Sequence, residues 1–330
     1  MAVNFRYWLY RHQILKTQWP GVPTIVVGNV IVGGAGKTPL VIFLVKHLQS
    51  QGLHVGIISR GYGRSDPQCN EVLTSTPIGE SGDEPMLIKR LIGAPVFVGK
   101  CRFDAATALL RAYPKTELLI CDDGLQHYGL MRDIEIAVFD DRGVGNGWLI
   151  PAGPLREHWP ARIDFGLDLI LHTGEKPVFQ GFTSVRKLSN YALAQDGSRV
   201  ALTSLTGKKI TAIAAIANPE AFFKMLRATG LIIEQAIGLP DHFDFVGYVP
   251  PCDPSDIVLC TEKDAVKLFG QSTVASLKLL AVPLQFSPEP AFLVDFDALI
   301  ASLISKLPSK HEHQNAGTSR MPRHKRLPRL

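Results

Sequence analysis

No stretch of the 330-residue chain approaches the roughly 18 consecutive apolar residues that a membrane-crossing helix needs. Nor does its beginning carry an apolar core followed by a small-residue cleavage site. A protein neither secreted nor membrane-spanning is therefore expected. Cysteine is scarce: Cys69, Cys101, Cys121, Cys252 and Cys260 are scattered without a C-x-x-C pair. That excludes a disulfide framework and a cysteine-rich zinc site, and makes the cytosol the default compartment.

Acidic residues are nearly missing from both ends. The first 19 residues hold Arg6, Arg11 and Lys16 with no acid, and from Lys306 onward seven Lys or Arg face Glu312 alone. The net charge of +5 thus resides in the termini, and the body between is mildly acidic. A nucleic-acid reader places its basic patch on the folded domain, so no nucleic-acid partner is expected. An anionic membrane surface suits basic ends better.

What the chain does have is 46% hydrophobic residues, enough for real cores, over a length of about two domains. Short apolar, β-branched runs recur at 24–29, 55–59, 117–122, 134–140 and 168–173, with helical patterns between them. Continuous apolarity marks parallel strands covered on both faces. The stretch 182–205 has a polar centre with Asp196-Gly197, a turn dipeptide between extended arms, and reads as a β-ribbon. Alternation resumes at 210–217, with Asn218-Pro219 opening a helix, and ends in a helix near 289–306. The expected division is an amphipathic segment over 1–19, a first α/β domain over 20–181, the ribbon over 182–205, a smaller α/β domain over 206–306 and a disordered basic tail over 307–330.

The strongest chemical signal is Gly33-Gly34-Ala35-Gly36-Lys37-Thr38, directly after a strand and before a helix. Backbone N–H groups at such a turn can cradle the β and γ phosphates, Lys37 can neutralise them, and Thr38 can ligate Mg²⁺. The position five before Gly36 is Ile31 rather than the usual glycine. The fold class expected is accordingly α/β: a P-loop NTPase-like, mostly parallel sheet covered by helices, plus a second α/β domain joined by a two-stranded ribbon. Asp122 and Asp123 end the strand 117–122 and so face the ligand crevice, where they can hold Mg²⁺ or serve as capping carboxylates.

Three further clusters suit a second substrate. Asp83 and Glu84 stand in a loop before a helix, and His242 follows Pro240-Asp241 in the second domain. A carboxylate oriented by an imidazole can deprotonate a sugar hydroxyl, although Asp83 could equally cap a helix and His242 could be structural. Pro151-Ala152-Gly153-Pro154 delivers Arg156, suited to a transferring phosphoryl group or to an ion pair with Glu157.

Nine collinear motifs between Val22 and Leu268 resemble the tetraacyldisaccharide 4'-kinase family: VGN-x-x-VGG-x-GKTP, SRGYG, GDEP, VG-x-x-R, DDG-x-QH, PAGPLRE, NP-x-x-FF, PDH and TEKDAVK. The resemblance implies transfer of the γ-phosphate of MgATP to the 4'-hydroxyl of a tetraacyldisaccharide 1-phosphate, giving lipid IVA. It implies the cytoplasmic face of the bacterial inner membrane, with ATP and Mg²⁺ as cofactors; nothing in the sequence requires a partner subunit, so a monomer is expected. Carried over by motif, Lys37 and Thr38 hold phosphate and metal, Asp83 is the base and His242 its partner. Asp122 and Asp123 match the Walker B-like acids, with Gln126 and His127 beside the nucleotide and Glu157 at the metal. Arg156 and Arg102 match phosphate contacts.

Two departures stand out. Family members usually begin with a longer apolar helix, whereas here about 20 residues precede the first strand. On a helical wheel Phe5, Trp8, Leu9, Leu15 and Trp19 share one face, as in an interfacial helix or one packed on the protein's own core. Phe243 stands where the family often has a second histidine. The competing classes are a P-loop regulatory ATPase, whose extra loop lysine is replaced by Val32, and a kinase for a soluble sugar.

Overall fold

The computed structural model describes residues 2–12, 14–159, 167–253 and 255–306, so the basic tail expected over 307–330 lies outside the described residues. The chain opens with α1 (Ala2–Arg11), β1 (Thr24–Gly28), α2 (Lys37–Ser50), β2 (Val55–Ser59), β3 (Asn70–Glu71), α3 (Ile78–Ser81) and α4 (Asp83–Leu91). β4 (Val96–Val98), α5 (Arg102–Ala112), β5 (Leu118–Asp122), β6 (Ile134–Phe139), β7 (Leu169–His172) and β8 (Phe182–Leu188) follow. The remainder is β9 (Tyr191–Leu193), β10 (Arg199–Ala201), β11 (Ile210–Ala214), α6 (Pro219–Ala228), β12 (Gln235–Gly238), β13 (Ile257–Thr261), α7 (Glu262–Leu268), β14 (Lys278–Val282), β15 (Leu284–Pro288) and α8 (Pro290–Ile304).

Two sheets result, in the orders β15-β8-β7-β6-β1-β5-β2-β4-β3 and β10-β9-β14-β13-β11-β12. β1, β2, β5 and β6 are buried at every residue, which is why they read as unbroken apolar runs. One face of the first sheet packs on Leu40, Val41, Leu44, Val45 and Leu48 of α2, the other on Ala105, Ala106 and Leu109 of α5. β1 lies between β5 and β6, and Val27 is in register with Asp122. The loop after β1 and the acids ending β5 therefore emerge side by side at the carboxyl edge of the sheet, where ligands of open α/β sheets bind.

Three sequence expectations change. The Asp196-Gly197 turn closes the hairpin of β9 and β10 at the edge of the second sheet, not a connecting ribbon by itself. The two strands that run between the sheets are β8 and β15, paired antiparallel from Leu188–Leu284 to Ser184–Pro288. A partner strand a hundred residues downstream leaves no local signature. β15 then hands α8 back to the first sheet, where Phe292, Phe296 and Ile300, spaced by one helical turn, are buried in its core rather than in the second domain. Finally, α1 ends at Arg11, so Leu15 and Trp19 do not continue its apolar face. The chain beyond is tied to the loop after β5 by Thr17 Oγ1 donating to Tyr128 O and Gln18 N–H donating to Gly129 O. Among the described residues no helix is long and apolar enough to cross a membrane.

Candidate active site

The glycine-rich loop is held by its own surroundings. Gly36 caps α2 in the left-handed region (φ 83°), and a Cβ there would stand 3.0 Å from the Thr173 side chain. Thr173 Oγ1 donates to Ala35 O at 2.8 Å, and the Arg142 guanidinium donates to Val32 O and Gly34 O at 3.2 and 3.3 Å. These donors fix the loop through its carbonyls, leaving the helix N-terminus as an anion site. Ile31, where the usual motif has glycine, is fully buried and bridged to Leu155, with Val32 N–H donating to Pro154 O. The side chain at that position therefore belongs to the core.

Lys37 Nζ donates to Asn29 Oδ1 at 3.0 Å and lies 3.4 Å from Asp123. Asn29 in turn donates to Gly33 O, and its own carbonyl accepts from Gln126 Nε2. Asp123 sits in the left-handed region (φ 51°) and receives Arg156 Nη1 on both oxygens, at 2.8 and 2.9 Å. Burial works against its ionisation, but Lys37 and Arg156 hold the carboxyl down at about 2. Its neighbour is the opposite case. Asp122 is 1% exposed, and neither carboxylate oxygen has a hydrogen-bond partner. Burial first, then Glu84 and Asp123, push it up to about 7.

Of the four residues expected at a metal, Asp122 is the carboxylate with open oxygens. Asp123 is taken by Arg156 and Lys37. Glu157, 5% exposed, accepts from Gln126 Nε2 and the Tyr128 hydroxyl, both at 2.7 Å, which ties it to the loop after β5. Gln126 spans Glu157 and Asn29 and thereby supports the phosphate loop from behind. Arg102 is 2% exposed, with Nη1 donating to Gly99 O at 3.0 Å and Nη2 to Asp123 O at 3.5 Å. It ties the acid turn to the start of α5. His127 is kept neutral, its value lowered to about 3 by burial and then by Arg102 and Arg60.

The remaining pair joins the two layers. Asp83 opens α4 after Gly82 (φ 84°) and is 4% exposed. Its oxygens lie 2.9 and 3.1 Å from His242 Nδ1, which is itself in the left-handed region (φ 63°), a conformation rare outside glycine. Lys267 Nζ stands 3.0 Å from Asp83, and Lys263 bridges Glu84 and Asp241 at 3.2 Å each. Burial opposes the Asp83 charge, yet His242, Lys263 and Lys267 together hold its carboxyl well below the usual range. The Asp83 hydrogen bond raises His242 above its ordinary value against burial and Lys263.

A family model described as LpxK, Tetraacyldisaccharide-1-P 4'-kinase, matches residues 1–301. The chain belongs to this kinase family. It is 63% identical over 316 residues to the tetraacyldisaccharide 4'-kinase of Polaromonas sp. (strain JS666), covering 96% of this chain and 93% of that one. To the enzyme of the same name from Acidovorax sp. (strain JS42) it is 50% identical over 299 residues, 90% of this chain and 86% of that one. The fold matches the crystal structure of LpxK from Aquifex aeolicus in complex with ATP with a TM-score of 0.77 at 29% identity, over 92% of this chain and 95% of that one.

Against this tetraacyldisaccharide 4'-kinase frame, three supports went unread in the sequence. Asn29 holds Lys37, and Thr173, at the end of β7, clamps the loop. The lysine Lys267 reaches the buried Asp83 carboxylate. The spacing of Lys263 and Lys267, four apart on α7, is the signal that could have found it, because i and i+4 share a helix face.

Proposed function

We propose that the cleft transfers the γ-phosphate of MgATP to the 4'-hydroxyl of a tetraacyldisaccharide 1-phosphate, giving lipid IVA, as the names of the relatives and the ATP-bound neighbour suggest. The observation that carries this reading is the pairing of buried Asp83 with half-buried His242, two residues 159 apart in the chain brought together from two layers. A phosphate-loop switch that only hydrolyses nucleotide has no use for a second acid–base pair.

In this reading the loop from Gly33 to Thr38 and the α2 N-terminus bind the β and γ phosphates, and Lys37 exchanges Asn29 and Asp123 for phosphate oxygen. Arg156, 2.8 Å from Asp123 at the same edge, stabilises charge on the transferring group. The 4'-hydroxyl oxygen bonds to the γ phosphorus as the bond to the leaving ADP oxygen breaks. The hydroxyl proton passes to the Asp83–His242 pair, which stores it as a carboxylate–imidazolium ion pair. Among the described residues no group of three His, Cys, Asp or Glu side chains is arranged to hold a metal. Mg²⁺ needs none, since it takes one or two carboxylates, waters and substrate phosphates. The two buried, unpartnered oxygens of Asp122 fit such an ion. Asp122 and Thr38 would hold it, and its charge would screen the phosphates.

A monomer is taken as the working unit. Phe5, Trp8, Ile14, Leu15 and Trp19 are exposed near the exposed cations Arg6 and Lys16, a surface suited to a shallow seat on the anionic, cytoplasmic leaflet. The test is transfer from γ-labelled ATP, with Mg²⁺ and detergent, to tetraacyldisaccharide 1-phosphate beside a lipid-free control. Labelled lipid with little free phosphate is the expected outcome. Free phosphate without labelled lipid would instead identify a regulatory ATPase.

A further inference from the structure

Where α4 meets α7, five charged side chains and one imidazole share a small, largely buried space. Asp83 and Glu84 come from α4, Lys263 and Lys267 from α7, and Asp241 and His242 from the loop after β12. Lys267 Nζ is 3.0 Å from Asp83 and donates to Phe243 O at 3.0 Å, so it ties the carboxylate to the backbone beside His242. Lys263 reaches Glu84 and Asp241 at 3.2 Å and Asp83 at 3.9 Å. Both ammonium groups are well shielded, with 15% and 8% of their side chains exposed. Their partners are carboxylates and a backbone carbonyl, none of them in the phosphate loop.

We propose that Lys263 and Lys267 are positioning residues for phosphate transfer: α7 delivers them to fix the Asp83 carboxylate and to keep the Asp83–His242 pair able to accept the hydroxyl proton. This rests on reading Asp83 as the base. The charge balance gives the reason. Three carboxylates against two ammonium groups leave one negative charge, which a single proton on His242 neutralises. Without either lysine the excess doubles, and His242 holds its proton more tightly. A pair already protonated has no room for the proton of the 4'-hydroxyl. The groups facing the His242 ring are Asp83 on Nδ1, Asp241 at 3.8 Å from Nε2, Lys263, and the Tyr62 ring at 5.1 Å. Of these Lys263 alone is cationic, and it opposes protonation. Because both lysines and His242 belong to the second sheet's layer, the base is complete only when that layer is docked on α4.

The experiment compares wild type with Lys263→Met, Lys267→Met and Lys263→Arg. Lipid phosphorylation under kcat/KM conditions is measured from pH 5.5 to 9.5, and the His242 imidazole is titrated by NMR. In Lys263→Met the acid limb and the His242 titration should move up together by about one unit, a tenfold change in proton affinity, and in Lys267→Met, whose ammonium reaches His242 through Asp83, they should move together in the same direction by less. The KM for ATP should stay unchanged, and Lys263→Arg should restore the wild-type limb. A uniform loss at every pH with the limb unmoved would assign the lysines a merely structural role and overturn the proposal, as would Met variants identical to wild type. Lys263→Gln, at the more exposed position, supplies the same readout where Lys267→Met does not fold. An Asp83→Ala control separates the two levels. If it phosphorylates lipid normally, the base reading itself fails. If it is inactive while the limb is unmoved in the lysine variants, only the lysine proposal fails.

Discussion

Replacing Asp83 by Asn removes the charge on which three second-layer side chains converge while keeping size and one acceptor oxygen. A positioned general base contributes about 10²- to 10⁴-fold, so kcat for lipid phosphorylation should fall by that factor, about 3–5 kcal/mol in transition-state stabilisation. Nucleotide binding should be spared, because Lys37 is held by Asn29 and Asp123, and neither touches Asp83. The fold loses a buried charge pair, with Asp83 4% exposed and Lys267 at 3.0 Å. That costs roughly 3 kcal/mol, the low end for breaking such a pair, since the Asn oxygen still accepts from Lys267. The stability difference has a defined sign with pH. The folded Asp83 carboxyl ionises below its ordinary 3.8, so its contribution is complete above that value and drains away as pH falls through the depressed one. Urea midpoints of the two proteins should therefore converge on acidification. The assay is labelled-phosphate transfer beside an ATP binding isotherm and a lipid-free hydrolysis control. Wild-type turnover in the Asn variant, or an ATP affinity that weakens in step with turnover, would refute the assignment.

Asp122, pushed up to about 7 by burial and its acidic neighbours, should lose a proton when Mg²⁺ binds. Calorimetry at pH 6 in two buffers of different ionisation enthalpy should show that release, with tighter binding at pH 8, and identical heats would contradict it. Gly36→Ala combines a left-handed φ of 83° with a Cβ 3.0 Å from Thr173, so it should cost about 1–2 kcal/mol and weaken ATP binding. An unchanged ATP isotherm would show that the loop tolerates the change. Phe296→Ala empties a fully buried position under the first sheet and should cost roughly 3–5 kcal/mol. Hydrogen exchange should rise in β7 and β8 rather than in β13 and β14; the reverse pattern would place α8 elsewhere.

Sequence by itself determined the elements and the chemistry that local pattern encodes. Unbroken apolar runs at 24–29, 55–59, 117–122 and 134–140 became the central strands because residues covered on both faces must be apolar throughout. Gly33 to Thr38 could be read because a strand, a turn and a helix N-terminus are contiguous in the chain, and the nine collinear motifs led to the family. The short β4 at Val96–Val98 was not legible, since three apolar residues carry no period. Nor was the crossing by β8 and β15, whose partners lie about a hundred residues apart. Tertiary structure alone decided which carboxylate stays open. Asp122, Asp123 and Glu157 look alike in a string of letters, yet Arg156 and Lys37 take one, Gln126 and Tyr128 take another, and burial leaves Asp122 unpartnered. It also decided that Lys263 and Lys267 face Asp83, because the charge state of a buried group is set by whatever the fold packs against it, however distant in sequence.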